Sequence, residues 1–266
     1  MDLSVSSRSA ISLENVILGY YPKKVPLFAP ISLDIPHKSL NVIVGANGSG
    51  KSTLLHTIAG TLKPIDGNVF IDNNEISRLS VRKKARLVSL TYTERIYSGG
   101  LTVRELVQMG RHPYTGFLSY LSKKDHQIVT NALNDIGISH KANEFLSDIS
   151  DGERQKAMIA RALAQQTPFM LFDEPTNFLD AASRLEILAL IHRLVQEKNV
   201  TVLLSGHDIS HMLNLADNVI TVIPENEAPV KLNPVDSDEA NQRLNEIFLS
   251  RGVHYDDASH DFALST

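Results

Sequence analysis

The run Gly45-Ala46-Asn47-Gly48-Ser49-Gly50-Lys51-Ser52-Thr53 constrains this chain more than any other feature of it. It follows an apolar stretch, Leu40–Val44, and leads into a helical pattern over Lys51–Ala59 that Gly60 closes. A strand, a glycine-rich turn and a helix start in that order aim consecutive backbone N–H groups and the positive end of a helix dipole at one anion. This is P-loop spacing. Gly45, Asn47, Gly48, Ser49 and Gly50 would curl around a phosphate chain, and Lys51 would reach its β- and γ-phosphates. Ser52 would ligate Mg2+, and Thr53 completes the motif. A glycine-rich turn with no ligand is the bland alternative. The flanking strand and helix, with every fixed position filled, weigh against it.

Short β-branched runs alternate with helical patterns along the 266 residues. Candidate strands are Ser12–Leu18, Ile31–Ile35, Leu40–Val44, Asn68–Ile71, Leu87–Thr91, Phe169–Phe172, Val200–Leu204 and Val219–Ile223. Leu40–Val44, Phe169–Phe172 and Val200–Leu204 are almost continuously apolar, as strands buried on both faces of a parallel sheet are. Leu185, Leu188, Ile191 and Leu194 recur at helical spacing, as do Ile128, Ala132, Leu133 and Ile136. The alternation predicts an α/β core around a parallel sheet. Residues 101–146 read as mainly helical and interrupt it, which predicts an inserted helical subdomain over about 101–165. After Pro224 the composition turns polar, recovers one helical pattern over Glu239–Ser250, and ends in a tail expected to be mobile. The chain thus divides into a domain over 1–224 and a C-terminal extension over 225–266.

Composition narrows the function. A net charge of -4 gives no basic surplus for nucleic acid, and zero cysteines exclude disulfides and thiolate metal sites. No apolar run approaches the ~18 residues that cross a bilayer. Met1–Asn15 lacks the charged-then-apolar pattern of a secretion signal, so a soluble cytosolic protein is expected.

A second motif, Phe169-Met170-Leu171-Phe172-Asp173-Glu174-Pro175, delivers an acidic pair to the C-terminal end of a buried strand. Ligands of open α/β sheets sit at that end. Asp173 is placed to hold the Mg2+ shell, and Glu174 to take a proton from the water that attacks a γ-phosphate. An acidic residue at a strand end is often only a cap or a solvated turn; beside a P-loop that reading loses weight.

Gly45–Thr53, Ser150-Asp151-Gly152-Glu153-Arg154-Gln155, Asp173-Glu174-Pro175-Thr176, Asn177-Phe178-Leu179-Asp180 and His207 occur in an order and spacing that resemble the motif set of ABC ATPases. The resemblance spans about Ser12 to Ile223. It implies an α/β P-loop NTPase core of ABC ATPase type with an N-terminal antiparallel β subdomain and the helical insert, hydrolysing ATP with Mg2+. Tyr20 stands where the family stacks an aromatic on adenine, with Tyr21 the adjacent alternative, and Val25 lies near the ribose. Ser150, Gly152 and Glu153 belong to the segment that approaches the γ-phosphate of ATP held by a second copy, so a homodimer with ATP at its interface is implied. His207 matches the switch histidine that contacts the γ-phosphate. Asp208 and His211 lie close by but lack a matching ligand set for a metal. Asp180 matches a subunit-facing aspartate, and it equally reads as the N-cap of the following helix.

The chain departs from the family twice. Asp151 replaces a glycine and Glu153 a glutamine, although Ser150-x-x-Glu153 before an apolar-periodic stretch is also a capping box. A carboxylate beside a triphosphate is costly, so Asp151 must point away or meet the metal or a cation. The second departure is at the usual Mg2+-sensing glutamine, where Thr93 stands with Glu94 beside it. Glu94 has the reach and the oxygen to replace it, with Arg95 or solvent balancing its charge; the alternative is a solvated Glu94 and a sensor that is missing or held by Thr93.

The run Gly100-Leu101-Thr102-Val103-Arg104-Glu105-Leu106-Val107-Gln108-Met109-Gly110-Arg111-His112-Pro113 is similar to ATPases of iron-chelate, haem and cobalamin importers. That likeness implies transmembrane permease subunits as partners and a place on the cytoplasmic face of the inner membrane. Tyr92, Tyr97, Tyr114, Phe117 and Tyr120 would line a pocket for a permease helix or fill the insert's own core. Two other classes compete. A soluble ABC ATPase acting on nucleic acid is opposed by the single motif set, the missing heptad repeat and the negative charge. A binding module without hydrolysis is opposed by the presence of Glu174 and His207.

Overall fold

The computed structural model describes residues 9–20, 22, 24–92, 100–116, 120–249, 253–256 and 261–264. Three strands, β5 (Leu40–Gly45), β9 (Phe169–Asp173) and β10 (Thr201–Ser205), are buried along almost their whole length. They run parallel in the order β5-β10-β9, flanked by β11 (Asn218–Val222) beside β5 and β8 (Val88–Tyr92) beside β9, also parallel. The edge strand β12 (Val230–Pro234) pairs antiparallel with β11.

Side chains alternate between two cores, as the two-residue period of a strand requires. Met170 and Phe172 of β9 face the core built with the helical insert, while Phe169 and Leu171 face the one shared with the N-terminal sheet. Phe169 and Phe172 are fully buried, and each such burial stabilises by about 2 kcal/mol.

The N-terminal sheet is antiparallel: β4 (Ile31–Ile35), β1 (Ile11–Ile17), β6 (Asp66–Ile71) and the short β7 (Asn74–Glu75). In β4, Ile31, Leu33 and Ile35 point inward and Ser32 and Asp34 outward. A separate two-residue hairpin, β2 (Gly19–Tyr20) and β3 (Val25–Pro26), carries Tyr20 opposite Val25. Helices α1 (Lys51–Ile58) and α2 (Val81–Leu87) follow β5 and precede β8.

The insert holds α3 (Val103–Met109), α4 (Lys123–Ile136) and α5 (Asp151–Ala164). Each starts with a complete capping box, Thr102 with Glu105, Ser122 with Asp125 and Ser150 with Glu153, which satisfies donors a helix start leaves unpaired. Beneath them, α6 (Ala181–Lys198) buries Leu188, Ile191 and Leu194, whereas Leu185, expected on the same stripe, is 47% exposed.

The segment after Pro224 holds more structure than its composition announced. Besides β12 and α8 (Asp238–Leu249), the hairpin β13 (Val253–Asp256) and β14 (Asp261–Leu264) is present. Pro234 conceals β12 from a sequence reading, yet at the last residue of an edge strand its missing N–H costs nothing. Arg243 of α8 is buried and donates to Thr221 Oγ1 at 2.5 Å and to the Ala228 carbonyl at 2.9 Å, tying the extension to β11. Among the described residues no helix is long and apolar enough to cross a membrane.

Candidate functional site

The parallel register brings the C-terminal ends of β5, β9 and β10 to one side of the sheet, with Ser205 opposite Asp173. Gly45 ends β5, and a Cβ there would lie 2.6 Å from Ser49 Oγ and 2.7 Å from the Val222 carbonyl, so only glycine fits the turn. Gly50 has φ 103°, in the region that favours glycine, and hands over directly to α1. α1 has no side-chain N-cap and no acidic residue in its first turn, which suits an anionic ligand. Lys51 is buried, and its Nζ donates to the carbonyls of Gly45 at 2.9 Å and Ala46 at 3.0 Å. Ser49 Oγ is buried without a hydrogen-bond partner, an arrangement that costs about 1–3 kcal/mol unless a ligand satisfies it.

Ser52, Asp173 and Glu174 line one 590 Å³ cleft with His56, Tyr92, Asn177 and Phe178. Asp173 Oδ1 accepts a 2.5 Å hydrogen bond from Ser205 Oγ. Glu174 has φ 53°, and its backbone N–H donates to Ser205. Its carboxylate is held on both oxygens: Asn177 Nδ2 donates to Oε2, and His207 Nε2 lies 3.1 Å from Oε1. Sequence reasoning missed Asn177 and Ser205. Asn177 lies three residues beyond Glu174 and so carried a positional signal, whereas Ser205, buried like the rest of its strand, gains its role only from the register that sets it opposite Asp173.

Tyr20 OH and Thr53 Oγ1 share a 2.6 Å hydrogen bond, which fixes the tyrosine above α1. Tyr20 and Val25 remain 56% and 60% exposed, leaving apolar surface beside the P-loop. Tyr21, Thr93 and Glu94 lie outside the described residues.

At the start of α5, Ser150 and Glu153 bond to each other, and Lys141 sits 3.7 Å from Glu153. Asp151 meets a cation of its own helix, because Arg154 Nη1 donates to it. Arg154 also donates to the carbonyls of Leu146 and Ile149. The Gly152 backbone faces Ser183 of α6, whose Oγ a Cβ would meet at 3.2 Å. Asp180 caps α6, accepting from Ser183 N at 2.9 Å and Ser183 Oγ at 2.7 Å, and those bonds hold its carboxyl below the usual range. Asp208 and His211 pair with each other at 2.7 Å. Of the described aromatics near the insert, Tyr114 stacks on Arg111 at 4.0 Å, while Tyr92 is 40% and Tyr120 79% exposed.

The ABC transporter family model matches residues 28–177, from before the P-loop through Glu174 and Asn177. The chain belongs to the ABC transporter ATPase family. This ABC ATPase is 35% identical to the ferric enterobactin transport ATP-binding protein FepC of Escherichia coli over 209 residues, spanning 79% of this chain and 76% of that one. It is 36% identical to the petrobactin import ATP-binding protein FpuD of Bacillus anthracis over 215 residues, spanning 81% and 78%. Among solved structures it resembles an inward-facing metal-chelate type ABC transporter, with TM-score 0.77 and 26% identity over 91% of this chain and 89% of that one. A dimeric ATP-binding cassette in a post-hydrolysis state with ADP and phosphate gives TM-score 0.71 and 26% identity, covering 85% and 98%. As an ABC ATPase the chain binds ATP and hydrolyses it.

Proposed function

We propose that two copies of this ABC ATPase bind Mg2+-ATP between them and drive the import of an iron chelate through transmembrane permease subunits at the cytoplasmic face of the membrane. The observation that carries the hydrolytic part is the Glu174 carboxylate, held between Asn177 and His207 at the strand end facing the P-loop. The cargo class rests on the relatives named for ferric enterobactin and petrobactin transport.

In this reading the backbone N–H groups of 45–50 and Lys51 bind the triphosphate, with Ser49 Oγ gaining the partner it lacks in the fold. Tyr20 and Val25 seat the adenine and ribose. The Mg2+ donors are the exposed Ser52 hydroxyl and Asp173, both hard oxygens on the same cleft. Among the described residues no three His, Asp or Glu side chains converge on one point, which fits an ion shared with phosphate oxygens. Bound there, Mg2+ would neutralise charge on the β- and γ-phosphates. Glu94, from the sequence, would add a carboxylate oxygen. Glu174 takes the proton of the attacking water, and His207 donates to the γ-phosphate oxygens. Ser150, Gly152 and Glu153 reach the triphosphate of the opposite copy, and Asp180 lines the contact. Residues 1–224 form the ATPase domain and 225–266 an extension to it.

The test is to purify the chain with its native permease, reconstitute the complex in vesicles, and measure ATP-dependent uptake of ferric siderophores. Uptake of an iron chelate, with ATPase activity stimulated by it, is the expected result. A complex that responds to no iron chelate overturns the cargo reading. Copurification with nucleic acid and no permease overturns the transport reading.

A further inference from the structure

The C-terminal hairpin is joined to the helix that follows the switch histidine. Ser210, in α7 (Ile209–Leu213), donates through Oγ to Asp261 Oδ1 at 2.8 Å. The same carboxylate oxygen accepts the backbone N–H of Phe262 at 2.8 Å, so Asp261 is itself oriented by its strand. Behind it, Phe262 packs edge-on against Phe248 of α8 at 4.6 Å and lies 5.2 Å from Tyr255. Tyr255 is buried, and its N–H donates to Asn245 Oδ1 at 2.7 Å. Leu244 and Ile247 of α8 belong to the main core, so the hairpin stands on a rigid base.

On the other side, α7 begins two residues after His207. Asp208 receives a hydrogen bond from the backbone of Met212 at 3.1 Å, and its Oδ1 lies 2.7 Å from His211 Nδ1. Met212 is 1% exposed, and a Cβ at Gly206 would touch its sulfur at 3.0 Å. Gly206 is the one residue between Ser205, which holds Asp173 and Glu174, and His207, which faces Glu174. Ser210 and Met212 lie in one short helix, and Met212 packs against Gly206, so α7 is in contact with the backbone that carries His207.

We infer that Asp261 is a positioning residue for ATP hydrolysis: by holding Ser210 it fixes α7, and through α7 it keeps His207 Nε2 against Glu174. This rests on Glu174 and His207 being the hydrolytic pair. Asp261 touches no reacting atom, and its effect passes entirely through the orientation of the histidine.

The experiment is steady-state ATPase kinetics of the full chain with saturating Mg2+-ATP, with thermal unfolding of each variant measured alongside. Asp261→Ala and Ser210→Ala should each lower kcat about fivefold, the effect of one hydrogen bond, with KM for ATP and Tm unchanged. Asp261→Asn keeps an oxygen acceptor and should recover most of the rate. In a His207→Ala background, Asp261→Ala should cause no further loss, because the group it positions is gone. If His207→Ala is slow while Asp261→Ala turns over like wild type, the positioning role is wrong and the hydrolytic pair stands. Losses that multiply in the double variant likewise overturn the route through His207. Wild-type turnover by His207→Ala would remove the hydrolytic reading itself, and the role of Asp261 with it.

Discussion

Ser205 Oγ donates to Asp173 Oδ1 at 2.5 Å, and the hydroxyl and carbonyl of the same residue accept the backbone N–H of Glu174 at 3.2 Å and 3.0 Å. One fully buried residue at the end of β10 thus sets the position of both carboxylates at the end of β9. Ser205→Ala keeps the carbonyl and removes the hydroxyl. We expect kcat to fall about tenfold with a loss of about 1 kcal/mol in stability, because positioning is disturbed more than folding. ATPase kinetics beside urea unfolding separate the two; equal activity with reduced stability would show the hydroxyl to be structural only.

Lys51 and Glu174 should fail differently. Lys51→Ala removes the cation that meets the phosphates and should abolish ATP binding, read by equilibrium titration with a fluorescent ATP analogue. Glu174→Gln keeps the shape and should bind ATP yet hydrolyse it at least ~100-fold more slowly. Rapid hydrolysis by Glu174→Gln would take Glu174 out of the mechanism.

Arg154 neutralises Asp151 at the helix start that is proposed to meet the triphosphate of a second copy. In a Glu174→Gln background, ATP should convert monomer to dimer in light scattering. Adding Arg154→Ala exposes an unbalanced carboxylate and should weaken that conversion several-fold, and adding Asp151→Gly as well should restore it. Dimerisation indifferent to all of these would place α5 away from the interface.

Arg111 and Asp125 form a buried pair at 2.9 Å within the insert, with Arg111 also donating to the Ala164 carbonyl and Gln166. Hydrogen bonds from Ser122, and then from Arg111, hold the Asp125 carboxyl down at about 2 against the burial that pushes it up. A depressed folded-state value contributes stability above the ordinary 3.8, which disappears as pH falls through about 2. Urea unfolding at stepped pH should therefore show wild type losing its advantage over Asp125→Asn between those values. Arg111→Ala should cost about 3 kcal/mol at neutral pH by stranding the buried carboxylate.

The almost continuously apolar runs at 169–172 and 200–204 were enough to locate the parallel core, because strands buried on both faces carry such runs. The P-loop and the acidic pair were legible for a related reason: each follows such a strand. Besides the edge strand β12, two things were not legible. Ser205 is an ordinary residue until the register sets it opposite Asp173, a relationship 32 positions apart in the chain. The hairpin at 253–256 and 261–264 is held by Phe248, Tyr255 and Phe262 packing together, and three scattered aromatics in a polar tail have no periodicity to read. Asp180 could be read as a cap or as an interface residue, and the structure supplies the cap.

α5 is held at one end and exposed at the other. Gln165 donates to the carbonyls of Ala85 at 2.6 Å and Val88 at 3.1 Å, and Arg111 holds the Ala164 carbonyl, while Ser150 and Asp151 at the opposite end are solvent-exposed. Fourteen helical residues span roughly 21 Å. Were α5 to pivot about the end beside β8, about 5° would sweep Ser150 through roughly 2 Å over that length, close to the difference between a made and a broken hydrogen bond.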